Sequence, residues 1–386
     1  MNKSQKITFG IILSLICVLT LAILMIGSQA YSSWAQKPLG PVLDYPTPWD
    51  FPATWTVFPG EPQPTPLATG TLAPTLVFET ETPSSPFLPC NNVPPMILLA
   101  IGSDARSDEY KYGRADVIRA IRVDFGLQKI TVLAFPRDLW VKIPEVIDNL
   151  GTNQQKLNTA YYWGNPGLHY WDHPSEGPGL LALTMDRNFG LKPDHYIAVS
   201  MNVFVDVVDA LGGLDIYLEE EVDGRYSYDR SKRLYFPAGE QHLSGEQALT
   251  LARTRNVSTF ARTGHQNKVI CELQKKIREP ETLTKIPEII AAFQDNIQTD
   301  LTPGQISQLA CLGTQIPMRN IIFSSFPRNM FRSGTIYDPV GKQNTFIWKS
   351  DFDALRAYVD EFEAGRWPTL DTSSLATPEP GTSGCE

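Results

Sequence analysis

The sequence predicts an α/β layered domain held on a membrane anchor, and three observations carry that reading. From Met96 onward, short apolar runs bounded by Pro or Gly alternate with helix-period segments. A continuous apolar run, Ile7 to Ile26, precedes them. Between the two lies a proline-rich stretch unable to continue helices or ladders.

Taken in order, the apolar run has no charge between Lys6 and Lys37. Twenty helical residues span ~30 Å, the thickness of a bilayer core. Lys3 and Lys6 before it place the short N-terminus in the cytoplasm and the rest outside. The competing reading is a cleaved signal peptide, with Ser28-Gln29-Ala30 as its small-residue site, but the apolar core exceeds the usual ~7–15 residues. Cys17, mid-span, reads as a lipid-facing or packing thiol. Of the 31 prolines, 15 lie between Pro38 and Pro95, a stretch without Lys or Arg. It reads as a spacer; the sharper alternative is a binding segment using Trp49, Phe51, Trp55 and Phe58.

Met96 to Ile101, between Pro95 and Gly102, reads as a buried strand, and Val117 to Val123 and Ile130 to Phe135 as two more. Gly179 to Phe189 reads as a helix stopped by Gly190. His195 to Val199 is a strand, Val203 to Leu211 a helix ending at Gly212-Gly213, and Leu214 to Leu218 a strand. Ser244 with Gln247 three residues on is a capping box. Helices follow over Leu273 to Ile277, Thr284 to Phe293 and Pro303 to Leu312, then a strand at Ile321 to Phe323. The organisation is then a cytoplasmic tail (1–6), an anchor (7–27), a Pro/Thr-rich linker (28–95), the α/β domain (96–325), its C-terminal extension (326–367) and a disordered tail (368–386). In the extension, Tyr337, Trp348 and Trp367 read first as packing and second as glycan contacts.

A net charge of −9 excludes a global basic field for nucleic acid. Aromatics at 10% and charged residues at 19% exclude a wholly disordered chain. Four cysteines lie on the exported side, and four allow three disulfide connectivities. Cys271–Cys311 and Cys90–Cys385 are the favoured pairs: two cysteines in the folded region, two flanking it.

The chemistry concentrates in arginines and aspartates at strand ends. Asp104 and Arg106 follow the first strand, and Gly113-Arg114-x-Asp116 enters the second. Two such aspartates suit one hard cation, Mg²⁺ or alternatively Mn²⁺, which takes one or two carboxylates plus substrate phosphates. Phe135-Pro136-Arg137-Asp138 sets another Arg at a strand end. Arg253, Arg255 and Arg262 with Gln266 form a third group, expensive to bury unpaired and shaped for bidentate phosphate contacts. The bland alternative for each group is local salt bridging on a solvated face.

These residues resemble the LytR-CpsA-Psr proteins of bacterial envelopes. The resemblance runs from Ile97 to about Ile277 through Gly102-Ser103-Asp104-Ala105-Arg106, Gly113-Arg114-Ala115-Asp116, Phe135-Pro136-Arg137-Asp138, Lys156 to Tyr161, Val207 to Asp215, Leu243 to Leu249 and Arg253-Thr254-Arg255. It implies an α/β/α sandwich around a mixed sheet. It also implies an enzyme, a Mg²⁺-dependent phosphotransferase moving a glycopolymer from undecaprenyl-pyrophosphate to peptidoglycan, with an apolar tunnel for the lipid. Asp104 and Asp116 would hold the metal. Arg106, Arg114, Arg137, Arg253, Arg255, Arg262 and Gln266 would surround the pyrophosphate, with Asp138 orienting Arg137. Asp104, Arg106, Asp116 and Arg137 are the implied catalytic set. Three departures stand out: His265 replaces an Arg, Val117 replaces a hydroxyl residue, and Arg119 and Arg122 stud a strand that is usually more apolar. Two other functions fit the same residues: hydrolysis of polyprenyl pyrophosphates, and polyprenyl-phosphate binding without turnover. A transcription-regulator role has no support, since no helix-turn-helix is visible.

Overall fold

The computed structural model describes residues 32–44, 90, 93–105, 113–146, 150–225, 234–254, 259–279, 281–282, 297–368 and 383–385. The first strands are β1 (Met96–Ser103), β2 (Ala115–Asp124), β3 (Lys129–Ala134), β4 (Trp140–Lys142) and β5 (Gln154–Lys156). Helices α1 (Leu157–Trp163) and α2 (Glu176–Phe189) follow, then β6 (His195–Ser200), α3 (Met201–Ala210), β7 (Leu214–Leu218), β8 (Val222–Asp223), β9 (Tyr235–Phe236) and β10 (Gly239–Leu243). Next come α4 (Gly245–Arg253), α5 (Thr259–Ile277), β11 (Ile297–Thr299), α6 (Pro303–Gln315) and β12 (Ile321–Ser325). The chain closes with β13 (Phe331–Asp338), β14 (Gln343–Ser350), α7 (Phe352–Glu363) and β15 (Ser383–Gly384).

Seven strands form one sheet in the order β11-β6-β1-β2-β3-β12-β15. It is mixed: β1–β6 and β3–β12 are parallel, whereas β1–β2 and β2–β3 are antiparallel. Strand alternation splits its side chains. Leu99, Ile101, Ile118, Ala120 and Leu133 share a core with α1, α2 and α7. Val123, Val132, Ile321 and Phe323 share another with Cys271 of α5 and Leu312 of α6. Helix α2 is buried nearly all round, as expected of a helix without a polar face, and ends at Gly190 with φ 75°. The capping boxes of α4 (Ser244, Gln247) and α6 (Thr302, Gln305) are both formed.

The strand at Leu214–Leu218 lies outside the central sheet, paired with β10 over a separate core with α3, α4 and α5. The C-terminal extension packs into the main core through Phe326, Phe331, Phe352, Leu355, Val359, Phe362 and Trp367. Trp367 stacks on Phe326 at 6.2 Å. Helix α2 is core: Leu180, Leu181, Met185 and Phe189 are fully buried in that same cluster.

All four of these cysteines are bonded, but in another pairing: Cys90–Cys311 and Cys271–Cys385 replace the expected Cys271–Cys311 and Cys90–Cys385. The reason is the sheet. Strand β15 adds antiparallel to β12 and delivers Cys385 to α5, while the approach to β1 brings Cys90 to α6. Each bridge therefore ties a flank of the chain to the body. Cys311→Ser is expected to cost about 2–4 kcal/mol of stability. Urea unfolding with and without reductant checks this, since reductant should then shift the variant less than the parent.

The linker is also partly docked. Leu39 donates its amide to Leu301 O at 3.2 Å, and the Tyr196 hydroxyl donates to Pro41 O at 3.1 Å. Leu43 packs on the main core. Residues 37–44 thus lie along the β11–β6 edge and are not an extended spacer. The expected anchor (7–27), most of the linker, the helix over Thr284 to Phe293 and most of the C-terminal tail lie outside the described residues. Among the described residues no helix is long and apolar enough to cross a membrane.

Candidate active site

Where β3 and β12 end side by side and β2 begins, the sheet opens into a cleft. It is lined by Asp116, Ile118, Arg119, Phe135, Pro136, Arg137, Gln266, Ser325, Phe326, Phe331 and Trp348. Ligand sites of open α/β sheets form at carboxyl ends of strands, because the chain leaves the sheet there and its loops diverge.

Arg137 follows β3 and its guanidinium pairs with the Asp116 carboxylate. Its Nε also lies 3.4 Å from Asp138 Oδ2, and Asp138 Oδ1 accepts from Lys156 Nζ at 2.9 Å. The result is a chain of alternating charge, Asp116, Arg137, Asp138 and Lys156, in which the Arg137 and Asp116 side chains are only 15% and 12% exposed. Asp104 sits across β1 from the start of β2. Its amide donates to Arg114 O at 3.0 Å, and its Oδ1 accepts from the Arg114 amide at 2.6 Å. Gly113 is required at this crossing, since a Cβ there would collide with Ser103 Oγ and the Ala105 amide.

Arg119 joins a second group to the first. It is 3% exposed and donates to Gln266 Oε1 at 3.1 Å and Asn267 Oδ1 at 2.7 Å. Its guanidinium lies 5.7 Å from the Phe323 ring centroid. Gln266 in turn donates to Ala252 O at 3.3 Å, next to the exposed Arg253 at the end of α4. Of the residues expected from sequence, Asp116, Arg137 and Gln266 line the cleft, Asp138 adjoins it, and Asp104 and Arg114 pair at its β1–β2 corner. Arg106 and Arg255, and the side chain of Arg262, lie outside the described residues; Arg262 is in α5.

In the sequence Arg119 stands out only as a departure in an apolar strand. An Arg in the middle of a central strand is itself a signal, because a buried guanidinium needs dedicated partners. Lys156 belonged to a quoted motif without a role; its partner is Asp138. Trp348 reaches the cleft because its amide donates to Asp138 O at 2.9 Å, fixing the β13–β14 hairpin beside the Arg137 turn.

His265, where the resemblance has an Arg, lies part-buried in α5. Burial, then the Lys268 charge, holds its pKa below the ordinary 6.5, and its Nδ1 has no hydrogen-bond partner among the described residues. The unfolded state therefore takes up the proton first as pH falls. Stability from this group is full above about pH 6.5 and is lost below it. His265→Gln should accordingly flatten the decline in urea midpoint between pH 7 and pH 5.5, measured against the parent chain.

Among the described residues no group of three His, Cys, Asp or Glu side chains is poised for a metal. The donor set at the β1–β2 corner is nevertheless the hard-oxygen kind. Asp104 and Asp116 stand at facing strand ends, and each has one oxygen engaged, by the Arg114 amide and by Arg137. Two carboxylates completed by substrate phosphate oxygens fit Mg²⁺ and do not fit a cation needing an all-protein cage.

The LytR_cpsA_psr family model matches residues 78–353 of the chain. TagV of Bacillus subtilis, a polyisoprenyl-teichoic acid–peptidoglycan teichoic acid transferase, is 27% identical over 210 residues, covering 54% of this chain and 50% of TagV. TagU of Bacillus cereus (strain AH820), of the same description, is 29% identical over 218 residues, covering 55% of this chain and 62% of TagU. The chain thus spans about half to three-fifths of the length of these curated relatives. The solved structure of TagT bound to LI-WTA superposes with a TM-score of 0.52 at 19% identity, covering 74% of this chain and 94% of that one.

Proposed function

Because the chain belongs to the LytR_cpsA_psr family, we propose that it transfers a glycopolymer from a polyprenyl-pyrophosphate carrier to peptidoglycan; TagV and TagU are named as transferring teichoic acid from a polyisoprenyl carrier to peptidoglycan. The observation that carries this is the charge chain that starts from Asp116 and Arg137, in a cleft where the sheet ends, and continues through Asp138 to Lys156. An acceptor hydroxyl oxygen attacks the phosphorus that bears the glycan. The bond from that phosphorus to the bridging oxygen breaks, the lipid leaves as a monophosphate, and the hydroxyl proton is released. Negative charge grows on the leaving phosphate, and preorganised guanidinium groups stabilise that growth in a site shielded from water.

Arg137, held from two sides by carboxylates, presents its fork without searching for a rotamer. Arg119, backed by Gln266 and Asn267, supplies a second fixed positive charge at the cleft wall. Arg114 and Arg253, with Arg106, Arg255 and Arg262, complete the pyrophosphate set in this reading. Asp104 and Asp116 would hold Mg²⁺, which when bound neutralises phosphate charge. Incubating the full chain with a lipid-pyrophosphate glycan, with and without peptidoglycan, tests the reading. Covalent attachment matched one-to-one by released lipid monophosphate is expected; acceptor-independent release would instead mark a hydrolase, and binding without release a carrier.

The same proposal sets the protein on the outer face of the membrane, with residues 7–27 as the anchor. Two disulfides suit that oxidising side. Nine residues, 28–36, separate the anchor from the docked segment, and ten steps span at most ~36 Å even when fully extended. The body is therefore held within that reach of the lipid headgroups, where its donor resides. Trp34, 57% exposed just before that segment, suits the interfacial zone.

A further inference from the structure

The β13–β14 hairpin carries aromatic rings that the phosphate chemistry does not use. Alternation puts Phe331, Ser333, Thr335 and Tyr337 on one face of β13, and the register pairs Ser333 with Trp348, Thr335 with Phe346 and Tyr337 with Asn344. Phe331 and Trp348 line the cleft, their centroids 6.4 Å apart. Phe346 meets Trp348 edge-on at 5.1 Å. Beyond them Phe346 is 44% and Tyr337 58% exposed. The row thus leads out of the cleft over six residues, ~20 Å of strand. Ser333, Thr335 and Asn344 between the rings are exposed hydroxyl and amide groups.

This face bears no formal charge. The cations of the two strands, Arg332 and Lys349, pair with each other across the ladder and point to the opposite face. An anionic, phosphate-bearing polymer would seek those cations. An uncharged chain of pyranose rings needs what this face has: rings whose π-faces attract polarised C–H groups, with hydroxyl and amide partners between them.

We propose that this face is a subsite for the neutral glycan strand of the acceptor, stacking successive sugar rings on Trp348, Phe346 and Tyr337 and leading one sugar hydroxyl into the cleft. It deepens the transfer reading and rests on it. The acceptor has no pyrophosphate to anchor it in the charged cleft, so its positioning must come from such a surface.

The test uses the full chain in detergent and two probes: peptidoglycan sacculi stripped of secondary polymers, and a short-chain prenyl pyrophosphate. Tyr337 and Phe346 are exposed, so Tyr337→Ala with Phe346→Ala should leave the fold intact, checked by thermal unfolding. Sacculus affinity should fall about tenfold while prenyl pyrophosphate affinity is unchanged. The ring-retaining Tyr337→Phe with Phe346→Tyr should restore sacculus binding. Unchanged sacculus binding in the alanine variant would overturn the proposal, as would a parent chain that binds no sacculi. So would ring-dependent binding of a purified anionic wall polymer in place of sacculi. Ring-dependent sacculus binding by a chain that takes up no prenyl pyrophosphate would support the subsite and count against the transfer reading alone.

Discussion

Arg137→Ala should lower transfer from a lipid-pyrophosphate donor by about 10²–10³-fold, the range seen when one preorganised charge-stabilising donor is removed. The side chain is held by Asp116 and Asp138 together, whereas Arg119 is tied to Gln266 and Asn267, and Lys156 to Asp138. Its loss also leaves two carboxylates facing a doubly anionic substrate, which penalises donor binding and the leaving-group charge alike. Arg137→Lys keeps the charge and loses the planar fork, so it should recover only part of the rate. Steady-state transfer at saturating acceptor measures both variants. Equal rates in Arg137→Ala and the parent would remove Arg137 from the proposed site.

Asp116→Asn should cost about 10²-fold, and by a different route. The amide is nearly isosteric, so the strand end is preserved. What is lost is the negative charge that orients Arg137 and, in the proposed site, one of two carboxylates for Mg²⁺. The two losses separate experimentally. A misoriented Arg137 lowers the rate at every Mg²⁺ concentration, whereas a missing ligand raises the Mg²⁺ needed for half-maximal rate. Both shifts are expected together. A lower rate with an unchanged Mg²⁺ profile would leave Asp116 as an orienting group only.

The parts of the site closest to strand ends were the most legible in sequence. Asp104, Gly113, Arg114, Asp116 and Arg137 all lie within a few residues of β1, β2 or β3, whose apolar runs are clear, so strand pairing brings them together with little freedom. The disulfides were legible as a set and not as pairs, because connectivity depended on β15, a two-residue strand too short to carry a pattern. Strands β4 and β5 escaped for the same reason, and with them the Lys156–Asp138 contact. The docking of residues 37–44 was hidden because it rests on two backbone carbonyl contacts and one leucine in a stretch dominated by proline. That docking alters the sense of the proline-rich stretch. The proposed height of the body above the membrane is set by the few residues before the docked segment, and not by the many after it.

A structure of the full chain with a polyprenyl pyrophosphate and Mg²⁺ is the most direct measurement. Phosphate oxygens are expected against the Arg137 guanidinium at the end of β3, with Arg119 and Gln266 on the adjoining wall and the glycan-bearing end directed towards Trp348. A pyrophosphate bound elsewhere, with no phosphate oxygen at Arg137, would overturn the proposed site.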